Sequence, residues 1–160
     1  MKRPTTQSSD ETGDNNSTRS STGFLVRKTH RSFTRVLEKR LKEHDISISM
    51  WFFLRLLWEK DGLTQKQCGD ELSLTQPTTV SAMDNLERRG LIRRVRNNRD
   101  RRQINIFLTD AGRSLRNDVI HYAMDVNKIA TQGLKDWEIQ ALHSLLARVN
   151  GALEQEIAAE

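Results

Sequence analysis

Residues 88 to 108 read RRGLIRRVRNNRDRRQINIFL, a stretch that sets eight arginines against one carboxylate, Asp100. Guanidinium groups at this density do no covalent chemistry; they offer permanent positive charge and forked donors that suit phosphate and carboxylate oxygens. The formal net charge of the whole chain is +5, less than this segment carries by itself. Such concentration favours a polyanionic partner, nucleic acid above all, over a uniformly basic surface.

Other chemistry finds little support. Serines, histidines and aspartates are plentiful but sit in no nucleophile motif, there is no glycine-rich phosphate loop, and no carboxylate pair stands out, so an enzyme is not expected. Cys68 is the single cysteine, which excludes a disulfide within the chain, and His30, His44, His121 and His143 lack ligand-like spacing. No metal or cofactor is expected. The apolar run around Trp51 to Leu54 is far below the roughly 20 residues that cross a bilayer. The opening MKRPTTQSSDETGDNNSTRSST has no apolar segment of the secretory kind. The expectation is a cytoplasmic protein with no membrane partner.

The basic segment needs elements to position it. Residues 1–22 hold almost no apolar side chain and read as a disordered tail. From Gly23, Val26, His30, Phe33, Leu37 and Leu41 recur at spacings of three and four, which predicts an amphipathic helix ending near Asp45. Residues 48–60, ISMWFFLRLLWEK, are apolar nearly all round and predict a helix packed on several sides. Thr64 and Gln67 fit a capping box opening a third helix to about Leu72. After a turn at Ser73-Leu74, Thr75 can cap a fourth helix with Pro77 in its first turn, ending at Gly90. Leu91 to Arg96 and Gln103 to Leu108 predict a β-hairpin with a long basic tip. Thr109 then caps a helix with the stripe Leu115, Val119, Tyr122, Val126 and Ile129. A last helix follows Lys135-Asp136 with Trp137, Leu142, Leu145, Val149 and Leu153. Neither of the last two stripes closes on a single chain.

Helix, tight turn, helix and a strand pair with a basic loop describe a winged helix-turn-helix, in a chain that is mainly α with a small β component. The second helix of such a pair enters the major groove, and the hairpin tip reaches the backbone or the neighbouring minor groove. On the fourth helix Val80, Met83 and Leu86 read as core. Thr78, Ser81, Ala82, Asn85 and Arg89 read as the outward face, with Thr75, Gln76 and Pro77 at the tip and Arg88 at the basic end. Amides can pair with adenine, hydroxyls with bases or phosphates, and methyl groups with thymine. Arg99, Arg101 and Arg102 offer cations to phosphates or to a narrow minor groove. Asp100, which would repel DNA, reads as orienting a neighbouring arginine.

LTQKQCGDELSLTQPTTVSAMDNLERRGLIRR followed by NRDRRQINIFLTDAG resembles the MarR/SlyA family of bacterial transcription regulators, from about residue 24 to 155. The resemblance implies a triangular homodimer in which the first helix and the last two interlock with their counterparts. Residues 23–47 would be a dimerisation helix, 48–108 the DNA-binding lobe and 109–160 the C-terminal dimerisation helices. It further implies a palindromic double-stranded operator, repression, Asp100 bracing the wing, and Arg101 or Arg102 in the minor groove. Cys68 and Gly69 stand where relatives usually have aliphatic and alanine residues, which suggests looser packing of the third helix. Many relatives also have longer amide or basic side chains at the places of Ser81 and Asn85.

Family members often take small aromatic or phenolic carboxylates between the dimer helices and the DNA-binding lobe. Here Arg27, His30, Arg31, Trp51 and Arg55 could line such a cleft, arginine clamping the acid and tryptophan stacking on the ring. The alternatives are an architectural protein that coats DNA without sensing a ligand, and an oxidant sensor acting through Cys68. The cysteine's apolar helix face disfavours the last.

Overall fold

The computed structural model describes residues 21–159, and the expected N-terminal tail lies outside these apart from Ser21 and Thr22. Helix α1, Thr22–Leu41, starts at Ser21, whose Oγ accepts the Phe24 amide at 3.3 Å. Its stripe is buried only in the last turns, at Leu37 and Leu41, with Phe33 half-buried; Val26 and His30 are exposed. A 3₁₀ turn, Lys42–His44, follows, and Asp45 takes a left-handed φ of 54°.

Helix α2, Ile48–Glu59, is the centre of the core. Met50, Trp51, Phe53, Leu54 and Leu57 are buried, as a helix apolar nearly all round requires. Around it close Leu63 from the connection that follows, Met83 and Leu86 from a later helix, Ile92, Ile106 and Leu108 from the hairpin, and Val119 beyond.

Helix α3, Gln65–Glu71, has the predicted capping box: Thr64 Oγ1 accepts the Gln67 amide at 3.2 Å and Gln67 Oε1 accepts the Thr64 amide at 2.9 Å. The turn to α4, Gln76–Arg88, puts Ser73 at φ 50°, and the Leu74 amide returns to the Gly69 carbonyl at 2.9 Å. Packing of α3 here is tighter than expected. A Cβ on Gly69 would lie 2.9 Å from Thr79 Oγ1, so the glycine allows α4 to approach closely.

Strands β1, Ile92–Arg96, and β2, Ile104–Leu108, pair antiparallel, Ile92 opposite Leu108 and Arg96 opposite Ile104. A short third edge was not foreseen. The Ile106 amide donates to the Leu63 carbonyl at 2.8 Å, the Gly62 amide donates to the Ile106 carbonyl at 3.0 Å, and Thr64 bridges to Asn105. These bonds tie the hairpin to the start of α3.

Helix α5, Asp110–Thr131, begins where Thr109 Oγ1 accepts the Gly112 amide at 3.1 Å. A Cβ on Gly112 would overlap the Leu91 carbonyl oxygen, which gives the LTDAG segment a physical reason for its glycine. Helix α6, Asp136–Ala158, opens with Glu138 accepting the Lys135 amide at 2.7 Å. None of its described residues is buried; Trp137 is 63% and Leu145 55% exposed. The fold is a mostly helical winged helix-turn-helix with long helices at both ends of the chain. No described helix is long and apolar enough to cross a membrane.

Candidate nucleic-acid interface

Helix α4 has two opposite ridges. Thr79, Ala82, Met83 and Leu86 are buried, while Gln76, Pro77, Val80, Ser81, Asp84 and Arg88 are exposed and Asn85 is half-buried. Two assignments from sequence are therefore corrected. Ala82, placed on the outward face, is 3% exposed and belongs to the core, whereas Val80, placed in the core, is 40% exposed on the outer face. The inner ridge uses small residues because α3 crosses closely, and Thr79 can join it by returning its hydroxyl to the Thr75 carbonyl at 3.1 Å.

At the tip, Thr75 Oγ1 and Thr78 Oγ1 share a hydrogen bond of 2.9 Å, so Thr75 occupies the capping position without its hydroxyl binding a helix amide. Gln76 and Pro77 are exposed beside them. Asn85 Nδ2 donates to the Ser81 carbonyl at 2.9 Å, and its Oδ1 remains an acceptor on this half-buried residue.

The eight arginines divide by what they touch. Arg89 donates from both terminal nitrogens, at 2.6 Å to the Asp45 carbonyl and at 2.8 Å to that of His44. It clamps the turn before α2 and is not an outward contact, another departure from the sequence reading. Arg94 pairs with Asp84 and Glu87, both at 2.7 Å, and its Nε donates to Gln65 at 3.3 Å. Burial works against this guanidinium's charge, but the hydrogen bonds it donates to Glu87 and Asp84, with the attraction of both carboxylates, outweigh it and hold the pKa above the ordinary arginine value. Arg93 lies over the Phe107 ring at 5.1 Å. Arg88, Arg96, Arg99, Arg101 and Arg102 are exposed, and no carboxylate among the described residues pairs with them.

Asp100 does not orient an arginine side chain. Its Oδ1 accepts the backbone amide of Arg102 at 3.0 Å and its Oδ2 accepts Gln103 Nε2 at 3.1 Å. Asn97 Oδ1 accepts the amides of Arg99 and Asp100 at 2.8 and 3.0 Å, and Asn97 Nδ2 donates to Asn105 at 2.8 Å. Local backbone donors take up these acceptors before a long side chain can be ordered on them. The loop is thereby shaped while the Arg99, Arg101 and Arg102 guanidinium groups stay un-neutralised. A cleft of about 440 Å³ separates the N-termini of α3 and α4 from the wing, with Lys66, Gln76 and Arg102 on its walls.

The residues proposed to meet a small molecule are less convergent. Trp51 is 2% exposed and packs edge-on against Trp58, so its ring is core and not an open stacking platform. Arg55 lies 5.9 Å over Trp51, Arg27 sits over Phe24, and His30 stacks on Phe52 at 6.3 Å. Arg27, His30, Arg31 and Arg55 are all exposed. Cys68 is fully buried, and burial, with Glu71 adding, pushes its thiol up to about 11. Among the described residues no His/Cys/Asp/Glu group could hold a metal ion.

Residues 46–104 match the MarR family model, which spans α2 to the start of β2. A Bacillus subtilis (strain 168) organic hydroperoxide resistance transcriptional regulator is 31% identical over 126 residues, 77% of this chain and 85% of that protein. The chain belongs to the MarR family. The HTH-type transcriptional regulator TtmR of Methylorubrum extorquens (strain PA1) is 37% identical over 93 residues, 58% of this chain but only about half, 48%, of that relative's length. Among solved structures, the S. aureus MepR-DNA complex superposes with a TM-score of 0.75 at 25% identity, covering 82% of this chain and 98% of that one. The protein is thus a DNA-binding transcriptional regulator of the MarR family, and its outer α4 ridge and wing belong to the fold that is solved on DNA in MepR.

Proposed function

We propose that this MarR-family protein is a homodimeric repressor. Each protomer sets the outer ridge of α4 into the major groove of one half of a palindromic operator, the two half-sites lying about one helical turn apart. Thr75, Gln76, Pro77, Thr78, Ser81 and Asn85 meet base edges and nearby phosphates, and Arg88, Arg99, Arg101 and Arg102 meet the backbone or the flanking minor groove. The carrying observation is that five exposed arginines, without carboxylate partners among the described residues, lie at the end of α4 and along the wing, with Arg102 across a cleft from Gln76 at the α4 tip, while Asp100 is spent on its own loop. Residues 48–108 form the DNA-binding lobe in this reading. Residues 23–47 and 109–160 are the dimerisation region, supported by apolar side chains on α1, α5 and α6 that one chain leaves open, among them Leu25, Met124, Trp137 and Ile157.

The effector proposed is a small aromatic or phenolic carboxylate, or its thioester, held by the exposed cationic groups of α1 and α2: Arg27, His30, Arg31 and Arg55. It would favour a spacing of the two lobes that no longer fits successive major grooves. Oxidant sensing through Cys68 is disfavoured by the burial and raised pKa of the thiol. An architectural role would require little sequence preference, whereas a regulator prefers one site by roughly a thousandfold or more.

Fluorescence anisotropy of labelled DNA from upstream of the protein's own gene, with and without a panel of aromatic carboxylates and thioesters, tests both layers. Selective binding relieved by one compound is the expected result. Selective binding untouched by every compound removes the effector class and leaves the regulator; equal binding to unrelated duplexes removes the regulator in favour of the architectural role.

A further inference from the structure

Val80 is the one aliphatic side chain, apart from the ring of Pro77, on the outer ridge of α4, and 40% of it is exposed. It has no local structural reason to be valine. A β-branched residue on an exposed helix surface is a poorer helix former than alanine, lysine or glutamate, and Val80 belongs neither to the core cluster nor to the side chains packed against it. The ridge around it forms a shallow depression of about 580 Å³ that includes Gln76, Ser81 and Asn85. Asp84, on the same ridge, is paired with Arg94 at 2.7 Å, so its carboxylate is compensated, and Val80 with Pro77 supplies the apolar surface among the Gln76, Ser81 and Asn85 polar groups.

We infer that Val80 is a specificity-determining residue that reads the 5-methyl group of a thymine in each half-site. In the major groove that methyl is the feature of an A·T pair that an apolar side chain can recognise. Val80 stands one turn in from the Thr75 to Thr78 tip, on the part of a recognition helix that comes within reach of base edges. The inference rests on α4 entering the major groove. Removing one buried methyl from water-excluded contact weakens binding about three- to fourfold, and about tenfold when both half-sites lose it.

The test begins with the duplex that wild-type protein enriches from a random-sequence library. Each symmetry-related thymine pair is replaced in turn by deoxyuridine, which removes the methyl alone, and affinities are measured for wild type and Val80→Ala. One thymine pair should weaken wild-type binding about tenfold when demethylated and change Val80→Ala binding by less than about twofold. Val80→Ala should bind that deoxyuridine duplex as tightly as wild type does, which also shows that the variant is folded. A duplex with no methyl-sensitive thymine pair, or with a pair equally sensitive in Val80→Ala, overturns the assignment and leaves the DNA-binding reading intact. Failure to enrich any duplex overturns the placement of α4 in DNA and this assignment with it.

Discussion

Arg94 separates the stability of the wing from its charge towards DNA. Replacing it by glutamine breaks two ion pairs of 2.7 Å, to Asp84 and Glu87. The Arg94 side chain is 19% exposed but the carboxylates are 49% and 41% exposed, so solvent screens both pairs and the stability loss should be only about 1–2 kcal/mol. Affinity has a separate origin. Asp84 lies on the outer ridge of α4, and once released it faces DNA phosphates as a bare anion. Two unit charges at roughly 8 Å in water repel by about 0.5 kcal/mol, reduced to a few tenths by physiological salt. Counting Asp84 and Glu87 in both half-sites, Arg94→Gln should weaken operator binding by roughly three- to thirtyfold. About half of that loss on a logarithmic scale, the Asp84 share, should return in Arg94→Gln/Asp84→Asn, and the gap between the variants should shrink as salt rises. Anisotropy titrations at two salt concentrations, with urea unfolding beside them, measure both effects. A double variant that binds no better than Arg94→Gln would refute the reasoning, because the lost affinity would then come from a displaced wing and not from an exposed carboxylate.

Thr79→Ala should lose about 1 kcal/mol for its buried hydroxyl bond, and Gly69→Ala should be destabilising because its Cβ presses on Thr79 Oγ1; together they should be less harmful than their sum by about 1–3 kcal/mol in urea unfolding, since the obstructing oxygen is gone. Additivity within about 0.5 kcal/mol would mean that α3 and α4 adjust freely. Gly112→Ala, whose Cβ would overlap the Leu91 carbonyl oxygen, should cost about 3 kcal/mol or more, and a thermal midpoint close to wild type would contradict the close approach. Native Cys68 should not react with an aromatic disulfide reagent at pH 8, while unfolded protein should release one equivalent. Folding holds the thiol protonated up to about 11 whereas an unfolded thiol ionises near about 8.5, so this contribution to stability is complete below about 8.5 and is lost as pH rises towards about 11. Finally, Arg101→Gln should lower the steepness of log affinity against log salt by about two units for a dimer, and an unchanged slope would remove Arg101 from the phosphate contacts.

Much of the scaffold was legible because its signals are local. Thr64 with Gln67, Gly90 at φ 68° and Thr109 before Gly112 each mark a helix end through groups within a few residues, and the alternation of Ile104, Ile106 and Leu108 sets the wing register. The arginine readings that failed depend on partners carried by other elements. Arg89 and Arg94 sit in the same basic run as Arg101, but one is drawn to carbonyls 44 and 45 residues away and the other is held by Asp84 and Glu87 of α4 and by Gln65 of α3. Composition cannot distinguish such arginines from free ones.

The phase of α4 was misread for a related reason. Val80, Met83 and Leu86 form the more hydrophobic line, yet the buried ridge is Thr79, Ala82, Met83 and Leu86. Burial on α4 is decided by volume as well as hydrophobicity. Gly69 brings α3 so near that only small side chains fit opposite, and a threonine fits because its hydroxyl is satisfied within its own helix. Placing threonine and alanine inside rotates valine out. The close α3–α4 crossing is therefore what sets the outer ridge, and the residues that choose a DNA sequence are selected in part by a glycine on the neighbouring helix. On this reasoning, exchanging Gly69 and Thr79 together for alanine should preserve operator choice, whereas Gly69→Ala alone should shift α4 and weaken operator binding more than it weakens binding to unrelated DNA. Loss of affinity in equal proportion on both DNAs would mean that the crossing supports stability without setting the reading face.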